Sequence, residues 1–90
     1  MGSVMMDGKN KAAKYHRYYI QIGENIAKLR MEQNLTQMDL AEKANYSRNQ
    51  IQRVEAATSV PTLPLLLDVA EALNVSLEQL LGLPDPERNR

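Results

Sequence analysis

Apolar residues recur through the middle of this chain with the spacing of helices rather than strands. Between Ile20 and Gln33, the residues Ile22, Ile26 and Leu29 fall at i, i+4 and i+7, one stripe of an amphipathic helix. Asn34 follows, a residue that tolerates positive φ, and is the predicted stop. A second helix opens at Thr36, with the N-cap hydroxyl at Thr36, a carboxylate three residues on at Asp39, and Leu35 before the cap set to pack on Leu40. Leu40, Ala41 and Ala44 form its inner face. The same grammar then repeats: Ser47 as cap, Gln50 at N3, and Tyr46 paired with Ile51. Only a tight turn around Asn45 separates the two helices.

After a loop over Ala57 to Pro61, Thr62 caps a fourth helix, with Pro64 in the first turn where a missing N–H costs nothing. Leu63, Leu66, Leu67, Ala70 and Leu73 are its expected buried stripe. Leu65 and Val69 lie off that stripe and are expected in a subunit contact or at the edge of the core. Asn74 ends the helix. Ser76, Gln79, Val75 and Leu80 repeat the cap-and-staple pattern for a short fifth helix closed by Gly82 and Pro84. The predicted fold is therefore all-α, five short helices joined by tight turns. Residues 1–19 read as a flexible basic arm, of which Lys14 to Ile20 extend the first helix in one reading. Residues 20–83 read as the folded domain and 84–90 as a charged tail.

Composition narrows the chemistry. Ninety residues suit one domain, and the four aromatics are all tyrosine, so aliphatic side chains carry the packing. With no cysteine there is no disulfide and no thiolate metal site, and the single His16 cannot hold zinc alone. His16 reads as an exposed arm residue. No apolar run reaches the roughly 18 residues of a membrane span, and the N-terminus lacks an apolar leader segment. A cytoplasmic protein without cofactor or metal is expected. A catalytic reading finds no Ser/His/Asp or Cys/His set and no glycine-rich phosphate loop, so no enzyme is expected.

Net charge is zero, which on its face argues against a nucleic-acid partner, yet the charge is polarised. Residues 1–53 hold nine Lys/Arg against five Asp/Glu, and residues 54–90 hold two against six. The basic half coincides with the two short capped helices.

Two short helices joined by a tight turn form a helix-turn-helix, whose second helix fits a major groove about 12 Å wide. Such a turn needs a small residue at the crossing, a residue tolerant of positive φ, and branched apolar residues on the inner face. Ala41, Asn45, Ile51 and Val54 fill those places. The stretch from Ile22 to Gly82, with LTQMDLAEKA, the Ile51/Val54/Glu55 pattern and the Pro61-Thr62 entry to the fourth helix, resembles the helix-turn-helix family of phage lambda-type repressors, Cro proteins and xenobiotic-response-element regulators. The resemblance covers about two thirds of the chain and rests on joint spacing rather than on one motif.

The resemblance implies a five-helix domain whose third helix reads DNA. It implies base contacts from Arg48, Asn49, Gln50 and Arg53, through bidentate arginine–guanine and amide–adenine pairs. It also implies backbone contacts from Gln37, Thr36, Lys43, Tyr46 and Thr58, Gln37 also bracing a side chain of the reading helix. A structural ion pair is implied between Arg30, late in helix one, and Glu55, late in helix three. Read in isolation, Arg48, Asn49, Gln50 and Arg53 are solvated helix surface and Gln37 is an ordinary first-turn residue; the constellation favours contact. Tyr15, Tyr18 and Tyr19 read as packing or solvent-facing rather than as base-stacking.

The sequence departs from the family where Asn45 stands for a common turn glycine and Ala57 for the usual glycine after the third helix. The loop Ala56 to Pro61 is uncharged where the family is often basic, so Lys9, Lys11, Lys14 and Arg17 of the arm are the expected source of compensating charge. The expected function is sequence-specific binding of double-stranded DNA as a transcriptional regulator, a repressor acting as a homodimer on an inverted repeat. The alternative is an antitoxin or adaptor module whose main partner is a protein.

Overall fold

The computed structural model describes residues 14–83, which form five helices and no strand. They are α1 (His16–Glu32), α2 (Gln37–Ala44), α3 (Arg48–Glu55), α4 (Leu63–Leu73) and α5 (Leu77–Leu81). Lys9, Lys11 and the tail from Pro84 lie outside the described residues. The arm boundary drawn at residue 19 moves, because α1 already begins at His16. His16 is exposed, as is most of the first turn, but it sits in a helix rather than an arm.

Local chemistry sets the helix boundaries. Thr36, Ser47 and Ser76 each accept from the N3 backbone N–H, while Asp39, Gln50 and Gln79 each accept from the cap residue's own N–H. Thr62 accepts from the N–H of Leu65. The other ends share a second device: Asn34, Asn45, Ala57, Asn74 and Gly82 all take the left-handed conformation. The residue after each donates back over the last turn, as in Tyr46 N–H to the Ala41 carbonyl at 2.8 Å and Thr58 N–H to the Arg53 carbonyl at 2.9 Å. Asparagine or glycine suits four of these ends. Ala57 holds φ 58° without such a preference.

The core is aliphatic and continuous. Ile26, Leu40, Ile51, Val69, Leu73 and Leu80 are fully buried, one or more from every helix, and no polar or charged residue is buried among the described residues. At α4 the expected stripe needs correcting. Leu65 and Val69 are core residues, whereas Leu63 is 58% and Leu67 48% exposed. Nearly every position of Leu63–Leu73 is apolar, so its own period does not mark an inner face. The neighbouring helices choose one, and they select the flank through Leu65, Leu66, Val69, Ala70 and Leu73.

One approach in the fold is closer than a side chain allows. Gly23, buried in the middle of α1, sits where a Cβ would lie 2.5 Å from the Val54 carbonyl oxygen and 2.6 Å from that of Glu55. The backbone of α1 thus rests directly on the last turn of α3. Gln33 donates to the Leu73 carbonyl at 2.7 Å and Asn25 to that of Leu80 at 3.3 Å, tying α1 to the ends of α4 and α5.

Candidate nucleic-acid interface

Helix α3 is held by its inner edge and leaves the rest of its surface free. Ile51 and Val54 are buried, while Arg48, Asn49, Gln50, Gln52 and Arg53 are exposed. At about 100° per residue, Asn49 and Arg53 lie opposite the buried edge, and Arg48 and Gln50 flank them on either side. Gln52 joins this outward surface. It carries the same amide chemistry as its neighbours but was outside the expected set, and its position beside Arg53 is the signal that marks it.

The five exposed side chains are not equally free. Gln50 spends its carbonyl oxygen on the helix cap, accepting from the Ser47 N–H at 2.8 Å. A bidentate pair with adenine needs that oxygen together with the amide N–H. A base contact of that kind from Gln50 therefore gives up the cap bond, whereas Asn49 carries no such bond. Arg48 and Arg53 form no ion pair among the described residues.

The far end of α3 is pinned by a charged network. Arg30 Nε donates to Glu55 Oε2 at 2.8 Å and Arg30 Nη2 to Oε1 at 3.0 Å, a bidentate pair whose side chains are only 13% and 7% exposed. Arg30 Nη1 donates to the Leu35 carbonyl at 2.8 Å. Gln37, the first residue of α2, donates from Nε2 to Glu55 Oε1 at 2.9 Å. Glu55 thereby links α1, α2 and α3, and with Gly23 beneath the same turn it fixes how far α3 projects.

The residues expected at the DNA backbone are placed more variously. Gln37 borders α3 with its amide nitrogen engaged by Glu55. The Thr36 hydroxyl accepts from the Asp39 N–H, and Asp39 in turn accepts from the Thr36 N–H at 2.9 Å. Those two hydrogen bonds, the backbone one first, hold the Asp39 carboxyl below its ordinary pKa. Lys43 is exposed in the last turn of α2. Tyr46 is half-buried and its hydroxyl donates to Asp68 Oδ2 at 2.6 Å, which pushes its pKa up and ties the α2–α3 turn to α4. Thr58 is exposed after α3, its hydroxyl 3.4 Å from the Arg53 carbonyl.

Beside α3 lies an open cavity of about 220 Å³, with Val54, Val60 and Leu65 as apolar walls and Tyr46, Gln50 and Arg53 contributing polar groups. Among the described residues no group of His, Cys, Asp and Glu could hold a metal ion, and no helix is long and apolar enough to cross a membrane. At the start of α1, Lys14 and Arg17 lie over the Tyr15 and Tyr18 rings, 5.5 and 4.9 Å from their centroids.

Comparison with known proteins agrees with this geometry. A helix-turn-helix family model matches residues 26–80. The chain is 39% identical over 61 residues to an immunity repressor protein of Bacillus phage phi105, covering 68% of this chain and 42% of that one. It is 33% identical over 60 residues to an HTH-type transcriptional regulator of Sinorhizobium fredii, covering 67% and 78%. It is 36% identical over 61 residues to antitoxin PezA of Streptococcus pneumoniae, covering 68% and 39%. The chain spans less than half the length of the phage repressor and of the antitoxin. No solved structure matches it. The match spans α2, its tight turn and α3 as well as the helices that brace them, and the chain belongs to the helix-turn-helix family of DNA-binding transcriptional regulators.

Proposed function

We propose that this chain represses transcription by binding an operator through α3 in the major groove. The observation that carries the reading is the exposed array Arg48, Asn49, Gln52 and Arg53 on a helix whose other edge is locked by Ile51, Val54 and Glu55. Arginine beside carboxamide is the side-chain set that tells guanine from adenine at base edges. A locked helix presents it without the entropy cost of ordering a loop. Gln50 serves the cap first and reads second. Lys43, Thr58, Gln37 and the cations Lys14 and Arg17 supply contacts to phosphate. One short helix spans few base pairs, so the working unit is a homodimer on an inverted repeat with half-sites about 10–10.5 bp apart or a multiple of that. Occlusion of a promoter then gives repression, the role carried in the printed name of the phage relative.

Titration of the isotope-labelled chain with duplex DNA, followed by amide NMR, tests the surface. Shifts concentrated at Gln37 and Arg48–Arg53 support the reading. Shifts confined to α4 and α5 contradict it.

A second reading has one observation in its favour, the similarity to an antitoxin. In it the main partner is a protein and DNA binding is auxiliary.

A further inference from the structure

The structure leaves one apolar surface that neither the core nor the DNA-facing helix uses. Leu63 and Leu67, one turn apart on α4, are 58% and 48% exposed, and Val60, just before the helix, is 56% exposed. The other large exposed apolar side chains, such as Met31 on α1, Met38 on α2 and Leu83 after α5, lie on other elements. Leu63 and Leu67 project from the flank of α4 away from Asp68, which faces the Tyr46 hydroxyl.

We propose that this flank is the self-association surface of the protein, formed by two copies of α4 packed antiparallel about a two-fold axis near residue 65. The spacing is self-complementary. Reversing α4 about residue 65 sets Leu63 against the partner's Leu67, and Leu67 against the partner's Leu63. The charges also fit. Residues 54–83 contain no Lys or Arg, so the face offers only carboxylates, and a parallel pair would bring equivalent ones together. In the antiparallel pair each Glu71 instead lies beside the start of the partner's α4, where helix N–H groups and the macrodipole favour negative charge. The two Glu71 residues are then separated by twelve residues along the axis, about 18 Å, well beyond the roughly 8 Å screening length at physiological salt.

The size of the patch sets the strength. Three aliphatic side chains expose a few hundred Å², against the roughly 800 Å² per partner of a stable complex. The free dimer is therefore weak, with Kd on the order of tens of micromolar. Paired half-sites strengthen it by holding two copies at millimolar effective concentration. That last use rests on the DNA-binding reading; the contact itself does not.

Sedimentation equilibrium of the full chain without DNA, from micromolar to millimolar concentration, is the test. The expected result is a monomer–dimer equilibrium that Leu63→Glu with Leu67→Glu weakens at least 100-fold and Glu71→Lys about tenfold. Met31→Glu, at an equally exposed site elsewhere, leaves it unchanged. Circular dichroism checks that each variant keeps its helices. As an independent readout, Leu63→Cys with Leu67→Cys in this cysteine-free chain gives a disulfide-linked dimer on oxidation. A wild-type chain that stays monomeric throughout, or a dimer that survives the double glutamate variant, overturns the proposal. Either result leaves the DNA-binding reading standing, since no DNA is present.

Discussion

Gln37 donates to Glu55 across 2.9 Å, joining the first residue of α2 to the last residue of α3. The acceptor is the carboxylate that pairs with Arg30, so the orientation of the reading helix depends on one charged side chain with three donors. Removing Glu55 leaves the Arg30 guanidinium largely buried with only the Leu35 carbonyl as partner. Glu55→Ala should cost about 3 kcal/mol in denaturant unfolding. Arg30→Ala with Glu55→Ala together should cost less than the sum of the two single changes, because the second removes the orphaned charge. Additive losses would show that the two residues are not coupled.

Gly23 makes a prediction opposite in sign to helix propensity. At an open mid-helix site, glycine to alanine gains roughly 1 kcal/mol. Here the new methyl would meet two backbone carbonyl oxygens at 2.5 and 2.6 Å, and neither can rotate away. Overpacking of this kind costs about 1–3 kcal/mol, so Gly23→Ala should be destabilising by about 1–2 kcal/mol. A raised melting temperature in calorimetry would contradict the close packing of α1 on α3.

These two positions show how differently the molecule is legible from its sequence. The caps at Thr36, Ser47 and Ser76 could be read directly, because each is a relationship across three residues that needs no tertiary knowledge. The left-handed ends at Asn34, Asn45, Asn74 and Gly82 are equally local. The pairing of Arg30 with Glu55 spans 25 residues and came only from the family resemblance. Gly23 went unremarked because its meaning lies in a helix 31 residues away, and a lone helical glycine looks like a weak position until that neighbour is seen. At α4 the abundance of leucine hid the inner face, and Leu65 and Val69 exchanged places with Leu63 and Leu67. Tyr15 to Tyr19 formed no stripe that would announce the start of α1.

Gln50 and Asn49 should separate when each is replaced by alanine. Gln50→Ala removes the bond to the Ser47 N–H and should lower stability by about 1 kcal/mol, with a modest effect on base preference. Asn49→Ala should leave stability within about 0.5 kcal/mol and lose about 1–3 kcal/mol of discrimination at one base pair. Melting curves beside binding to single-base operator variants decide this. The reverse pattern would make Gln50 the reader.

Acid should loosen the start of α2. Because its hydrogen bonds lower the Asp39 pKa in the folded state, the stability they contribute is fully present above the ordinary carboxylate value. It is lost as pH falls through the lowered folded value. Asp39→Asn keeps a neutral acceptor for the Thr36 N–H but no longer titrates. Below about pH 4 its melting temperature should fall less steeply than that of the wild type. Parallel curves would remove Asp39 from the acid response.

The salt dependence of DNA binding should reveal the cations that precede the core. Replacing Lys9, Lys11, Lys14 and Arg17 by glutamine should flatten the plot of log affinity against log salt by as much as about 3–4 units if all four contact phosphate. An unchanged slope would mean that the DNA charge is met by the folded domain alone.

The central claim is that α3 reads base edges, and selection from a random duplex library at moderate salt, followed by sequencing, tests it most directly. The expected result is an enriched inverted repeat whose preferred bases change with Asn49→Ala and Arg53→Ala but not with Met31→Glu. Failure to enrich any sequence, or an enriched sequence indifferent to Arg48, Asn49 and Arg53, would contradict the account.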